Sequence, residues 1–268
     1  SSLIKVYLII IEADLIWFVL VTLFDAVSLA IFSWLIYSSQ KLPKFFRFFD
    51  KEKSLKILKD GFPVLLSSVI LMIQARSDQV LINMLLNSEQ LGYYSSAMRI
   101  VEVFGFIPIV LSQSLYPAIE RGKSISDEHF ADRITKLYSL MWIIFFITAF
   151  PLFFFGEYLV NLLYGEAYKP AGLVLQLMSF RLLFAYFGVI RGLYLLSNNF
   201  LSWGTLTMGA GALLNVVGNI LLIPIWGLYG AIISFYISFF ITTFFIDLFN
   251  RITRRNLKFI FWGLYRWE

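Results

Sequence analysis

Apolar positions in this chain come in long blocks. They run from about Ala13 to Tyr37, 62 to 86, 91 to 119, Ile134 to Phe155, Pro170 to Leu196, Leu201 to Leu222 and Leu228 to Phe249. Each block is close to or above the roughly 20 residues an α-helix needs to cross the hydrocarbon of a bilayer. None alternates at period two, as a transmembrane strand would. The pattern therefore predicts an all-α fold: a polytopic helical membrane protein with about seven transmembrane helices. Residues 1 to 12 read as a short apolar lead-in. Gly156 to Gly165 is too short to span and predicts a brief interfacial helix ending in glycine. Ile223 to Gly227 predicts a turn, Pro63 a first helical turn, and Pro108, Pro117 and Pro151 kinks inside spans.

The polar stretches then give a direction. Gln40 to Asp60 holds Lys41, Lys44, Arg47, Lys51, Lys53, Lys56 and Lys59, interleaved with Phe45, Phe46, Phe48 and Phe49. That mixture predicts an interfacial segment, with a polybasic recruitment site as the sharper alternative. Arg121 to Arg133 and the tail Arg251 to Glu268 are also basic, whereas the connections after spans two, four and six are poor in Lys and Arg. The positive-inside rule places the basic set in the cytoplasm, so the chain starts outside and ends inside. The turn after span five carries no signal of its own. Trp17, Trp34, Trp203 and Trp226 fall near span ends, as an aromatic belt expects.

Composition narrows the chemistry. The 268 residues are 59% hydrophobic and 15% charged, with 29 Phe, too little charge for a soluble globule. With no cysteine there is no disulfide framework or thiolate chemistry, and the lone His129 cannot build a metal site. The net charge of +5 sits between apolar spans, where topology and anionic headgroups explain it without nucleic acid. The sequence has no phosphate-binding glycine loop and no paired carboxylates in a folded aqueous domain. Movement of a substrate is the better expectation than catalysis, and no cofactor is expected. The chain opens Ser-Ser-Leu-Ile-Lys, with neither an initiator Met nor a signal-peptide pattern. A processed or truncated piece of a longer protein is the expectation.

The informative residues are the ionisable ones inside the spans, because burying charge in hydrocarbon costs at least a few kcal/mol. Arg76 and Asp78 lie in span two, Arg99 and Glu102 in span three, and Asp25 near the centre of span one. Arg76, Gln79 and Asn83 share one face; Ser67, Gln74 and Asp78 share the next. Arg99 and Glu102, three apart, are placed for an intrahelical pair. Arg181, Phe184, Gly188 and Arg191 form a narrow stripe on span five, which has no acidic residue. Those two cations need a carboxylate from another helix, Asp25 or Asp78, or an anionic ligand; Arg191 has the further option of reaching to headgroups. The planar, permanently charged guanidinium suits phosphate. Arg76, Arg99, Arg181 and Arg191 are accordingly the candidate substrate-binding cations, and Asp25, Asp78 and Glu102 the candidate pairing or ion-coupling carboxylates. Asn215 and Asn219, at i and i+4, are expected to hold a neighbouring helix, and the glycines of span six to permit close packing.

Several stretches resemble the polysaccharide-biosynthesis flippases, the O-antigen and capsule branch of the multidrug/oligosaccharidyl-lipid/polysaccharide exporter superfamily. They are Phe62-Pro63, Arg76-Ser77-Asp78-Gln79-Val80, and Leu91-Gly92-Tyr93-Tyr94-Ser95-Ser96-Ala97-Met98-Arg99-Ile100. Pro108, Tyr116-Pro117, Leu163-Tyr164-Gly165-Glu166-Ala167-Tyr168, Asn219-Ile220-Leu221-Leu222-Ile223-Pro224, Gly227 and Gly230-Ala231 follow in order. The resemblance implies two six-helix lobes around a cavity. Residues 1–38 would be the last helix of a truncated first lobe and 39–61 a basic cytoplasmic interfacial linker. Residues 62–250 would be the second lobe and 251–268 a basic cytoplasmic tail. It further implies flipping of undecaprenyl-pyrophosphate-linked repeat units across a bacterial plasma membrane, beside a polymerase and glycosyltransferases. The alternatives are a cation-coupled drug antiporter of the same superfamily, which would favour cavity carboxylates, and a structural membrane subunit with every Arg paired.

Overall fold

The computed structural model describes residues 2–11, 13–39 and 50–265, and every regular element among them is helical. The chain divides into two compact units, Ser1–Gly61 and Phe62–Glu268. In the first, the lead-in is a helix, α1 (Ser2–Ile10), followed by α2 (Leu15–Ser39). Lys5 Nζ lies 3.8 Å from Asp25 Oδ2, so the mid-span carboxylate has a cation beside it. Lys41, Lys44, Arg47 and the four phenylalanines of the expected interfacial segment lie outside the described residues, as does Arg266.

The next helix, α3 (Lys51–Leu85), begins well before the expected span, so position 63 falls inside it and not in its first turn. In the second unit α4 (Ser88–Ile125) and α5 (Asp127–Tyr164) each have 38 residues, about 57 Å of helix at 1.5 Å per residue. They outrun the hydrocarbon at one or both ends. Asn87 and Ser126 cap their N-termini, accepting from the backbone N–H of Gln90 and His129. The interfacial helix expected at 156–165 is the continuation of α5. Gly156 does not break it: a Cβ there would lie 2.8 Å from Gln176 Cγ, so the glycine lets the next helix approach. The expected stop does come at Gly165, whose φ is +81°.

Span five is two helices, α6 (Pro170–Met178) and α7 (Arg181–Ser197), parted at Ser179–Phe180. Ser179 Oγ donates to Gln176 O at 2.7 Å and its N–H is shared between Leu175 O and Gln176 O, a local tightening just ahead of Arg181. The helix α8 (Leu201–Trp226) absorbs Pro224 and runs through the expected turn to Gly227, whose φ is +59°. The last span starts as α9 (Leu228–Phe240), widens to a π-helical turn over Ile241–Phe245 and tightens to a 3-10 turn over Ile246–Phe249. The tail then forms α10 (Arg251–Tyr265).

Among the described residues six stretches are long and apolar enough to cross a membrane: 16–39, 88–125, 127–164, 170–197, 201–226 and 228–249. The remaining expected span, 62–86, falls within α3 except for its last residue and carries Arg76 and Asp78. The protein is a multi-pass helical membrane protein. In the second unit the core joins Tyr94, Tyr138, Tyr186, Phe187, Met178 and Leu182, all fully buried, with most other large apolar groups facing outward as a lipid-exposed surface requires.

Prolines and glycines settle how the helices meet. Pro108 deprives the Phe104 carbonyl of its helical donor, and Tyr186 of α7 supplies one, its hydroxyl 3.2 Å away. A Cβ on Gly230 would fall 2.2 Å from Leu222 O, so α8 and α9 touch backbone to backbone there. Lys123 Nζ donates to Ser197 O, and Ser197 Oγ to Glu120 Oε1. Tyr194 OH donates to Ile252 O at 3.0 Å and Arg255 Nη1 reaches Asp127 at 3.4 Å. The α4–α5 turn, the α7–α8 turn and α10 thus stand at one end of the bundle.

Candidate functional site

Arg181 opens α7 directly after the tightened turn at Ser179–Phe180. Only 6% of it is exposed. Its Nη1 lies 3.2 Å from Asp78 Oδ2 and 3.0 Å from Tyr94 OH, and its guanidinium carbon sits 3.6 Å from the centre of the Phe235 ring. Ion pair and ring contact hold the fork from two sides. The partner Asp78, 1% exposed, also accepts from Tyr94 OH at 2.6 Å and from Asn219 Nδ2 at 2.7 Å. Four helices, α3, α4, α7 and α8, therefore meet at one carboxylate. Ser77 Oγ donates to Asn215 Oδ1 at 3.0 Å, and Ser234 Oγ to Asn215 O at 2.9 Å, which extends the network to α9. Most of these polar groups satisfy one another, which makes their burial in an apolar bundle tolerable; Asn215 Nδ2 and Asn219 Oδ1 have no partner among the described residues.

Beside Arg181 is a cavity of about 410 Å³ between α3, α4, α7 and α9. Its wall is apolar, with Ala75, Phe106, Phe235 and Phe239 among the lining, and its charged groups are Glu102 and Arg181. Glu102 does not pair with Arg99. Its Oε1 lies 3.4 Å from Nη1 of Arg76, which is also 3.4 Å from Gln79 Oε1. Arg99 is exposed and, among the described residues, makes no ion pair. Helical offsets place residues on faces but do not say which neighbouring helix a face will meet, and here an α3–α4 contact takes the carboxylate.

Arg191 stands three turns further along α7, bound in a fork to Asp247: Nε to Oδ2 at 2.6 Å and Nη2 to Oδ1 at 2.7 Å. Thr207 Oγ1 is 3.0 Å from Nη2, and Trp203 Nε1 donates to Asp247 Oδ1 at 3.1 Å. Asp247 is fully buried. It occupies the 3-10 turn that follows the π segment, and that local change of winding brings a residue from a span end into the bundle. A second cavity of about 420 Å³, between α7, α8 and the π turn, has Arg191 on its wall. Sequence reasoning missed Asp247, Tyr94 and Tyr186. An acidic residue at the end of an otherwise apolar span was the available signal for the first.

Among the described residues, no group of three His, Cys, Asp or Glu is placed to hold a metal ion.

Residues 1–173 match the model of a family described as polysaccharide biosynthesis protein. No curated protein and no solved structure matches the chain. The matched region includes Arg76, Asp78, Tyr94, Arg99 and Glu102 and stops short of Arg181, Arg191 and Asp247.

Proposed function

The chain belongs to the polysaccharide biosynthesis protein family, and from that premise we propose that it moves a lipid-linked, anionic sugar across the membrane. The observation that carries this reading is Arg181, a buried cation on the wall of an apolar cavity, held by a carboxylate that has two other donors. A phosphate entering the cavity takes the guanidinium from Asp78. The carboxylate keeps the Tyr94 hydroxyl and the Asn219 amide, so it is not stripped of hydrogen bonds when the cation leaves. Exchange of one anion for another keeps the guanidinium paired, while Asp78 keeps two hydrogen bonds and loses its counter-charge. The lipid tail stays in the bilayer while the headgroup follows the polar path.

The finer reading is flipping of undecaprenyl-pyrophosphate-linked repeat units from the cytoplasmic to the outer leaflet of a bacterial plasma membrane. Arg76 and Arg99 act as outer contacts, and Arg191 as a second inner cation. The polymerase and glycosyltransferases of the same pathway are the partners, and the basic bundle end faces the cytoplasm. With Arg181 turned to substrate, Asp78 is the carboxylate free to take up a coupling cation.

The test is translocation of a fluorescent undecaprenyl-pyrophosphate disaccharide by the intact transporter in vesicles. Arg181→Ala abolishes it at unchanged protein level; unchanged translocation removes Arg181 from the mechanism. A structural membrane subunit is the second reading, favoured by the pairing of both Arg181 and Arg191 with buried carboxylates. On that reading the wild type moves no lipid, and Arg181→Ala lowers stability alone.

A further inference from the structure

We propose that α10 carries a binding surface for anionic phospholipid headgroups, independent of the transport reading. Arg251, Arg254, Arg255 and Lys258 recur at i, i+3, i+4 and i+7 and so share one face of the helix. These four side chains together line a concavity of about 550 Å³. All four are exposed, and among the described residues only Arg255 has an acidic partner, Asp127 at 3.4 Å. Glu128 and Asp132 line a separate groove with Trp262, and Asp132 is paired with Lys136 at 3.0 Å.

The opposite face of α10 is committed to the bundle. Leu257, Phe259 and Ile260 are buried, Tyr138 OH donates to Asn256 Oδ1 at 3.1 Å, and Trp142 Nε1 donates to Ile260 O at 3.0 Å. A Cβ on Gly263 would fall 2.9 Å from the backbone nitrogen of Ser139. The helix is therefore fixed in rotation, and its cationic face can only point away from the core. It stands at the bundle end marked by the α4–α5 and α7–α8 turns, where a membrane protein meets headgroups. The exposed Phe261, Trp262 and Tyr265 follow in sequence, side chains that favour the depth of the membrane interface.

The order of charge along α10 points the same way. Three arginines occupy its first turns, beside the positive end of the helix dipole, where a carboxylate is the stabilising choice. Asn250 Oδ1 accepts from the Ile252 N–H at 2.9 Å but brings no charge. An unsatisfied positive field on a fixed exposed face is matched by phosphodiester groups, and a bilayer presents these in excess.

The purified full chain in neutral detergent is offered dioleoylphosphatidylglycerol or dioleoylphosphatidylcholine, and bound lipid is read by native mass spectrometry. The wild type prefers the anionic lipid by about tenfold or more, since each basic group at such a surface contributes roughly fivefold. R251Q/R254Q/K258Q, which spares the Arg255–Asp127 pair and the buried face, brings the ratio close to one at an unchanged elution profile. R251K/R254K keeps the preference, because a lipid surface reads charge more than guanidinium shape. An unchanged preference in the triple variant overturns the proposal. So does displacement of the lipid by millimolar inorganic phosphate, which would mark a free-anion site. Should the triple variant not fold, R254Q and K258Q singly lower the preference several-fold, and no change in either also overturns it.

Discussion

Arg181 and Asp78 are 103 positions apart in the chain and 3.2 Å apart in space. Neither stands alone: Tyr94 touches both, and Asn219 and Phe235 complete the enclosure. Asp78→Asn leaves the guanidinium buried without its counter-charge, a change that costs about 3–5 kcal/mol. Thermal unfolding in detergent will show the loss. Asp78→Asn combined with Arg181→Gln recovers much of it, because the double variant buries no charge, and the strongly non-additive cycle measures the pair.

At the second pair, shape matters as much as charge. Arg191→Lys keeps the cation but cannot reproduce the fork to both oxygens of Asp247. A loss of about 1.5–3 kcal/mol is expected, the worth of a hydrogen bond to a charged group. Hydrogen exchange over Ile241–Phe245 will rise in the variant if Asp247 anchors the π turn. Unchanged protection there would sever the two.

Arg76 and Glu102 form an outer pair, each partly solvated, and Arg76→Gln changes stability by no more than about 1 kcal/mol. Any effect of that substitution on transport far exceeding its effect on unfolding would mark Arg76 as a substrate contact.

Backbone contact between α8 and α9 leaves no room for a methyl group at Gly230, where carbonyl atoms of Leu222 and not a mobile side chain stand in the way. Gly230→Ala lowers stability by about 1–3 kcal/mol, read as a lower midpoint of unfolding. An unchanged midpoint would mean that the two helices can part without loss.

The spans and the basic ends were legible because they rest on block length and net charge, which need no knowledge of neighbours. The need of Arg181 for a partner was legible too, since no carboxylate shares its span, and Asp78 stood among the residues that could answer. What stayed hidden depends on winding or on facing. Nothing in Met178-Ser179-Phe180 signals a break by composition, and a serine bonding back to its own helix accompanies the interruption. The stretch from Gly156 to Gly165 read as a separate short helix because its length is too small to span, and only tertiary packing shows that Gly156 serves close approach within a continuous α5. Asp247 sat at a predicted span end, and a π turn moved it inward. Glu102 had two arginines within reach, and the spacing along one helix pointed to the wrong one.

The Tyr186 hydroxyl, 3.2 Å from the Phe104 carbonyl, straps α7 to the proline-bearing stretch of α4. Phe104 precedes Pro108 by one turn, and Tyr186 follows Arg181 by five residues, so the strap connects the weakened backbone of one rod to the azimuth of the other. Removing it, as in Tyr186→Phe, strands a carbonyl at a cost of about 1–3 kcal/mol and leaves the two helices without this tie. Any rotation that carries Arg181 off Asp78 must either slacken this strap or straighten the proline-bearing rod with it.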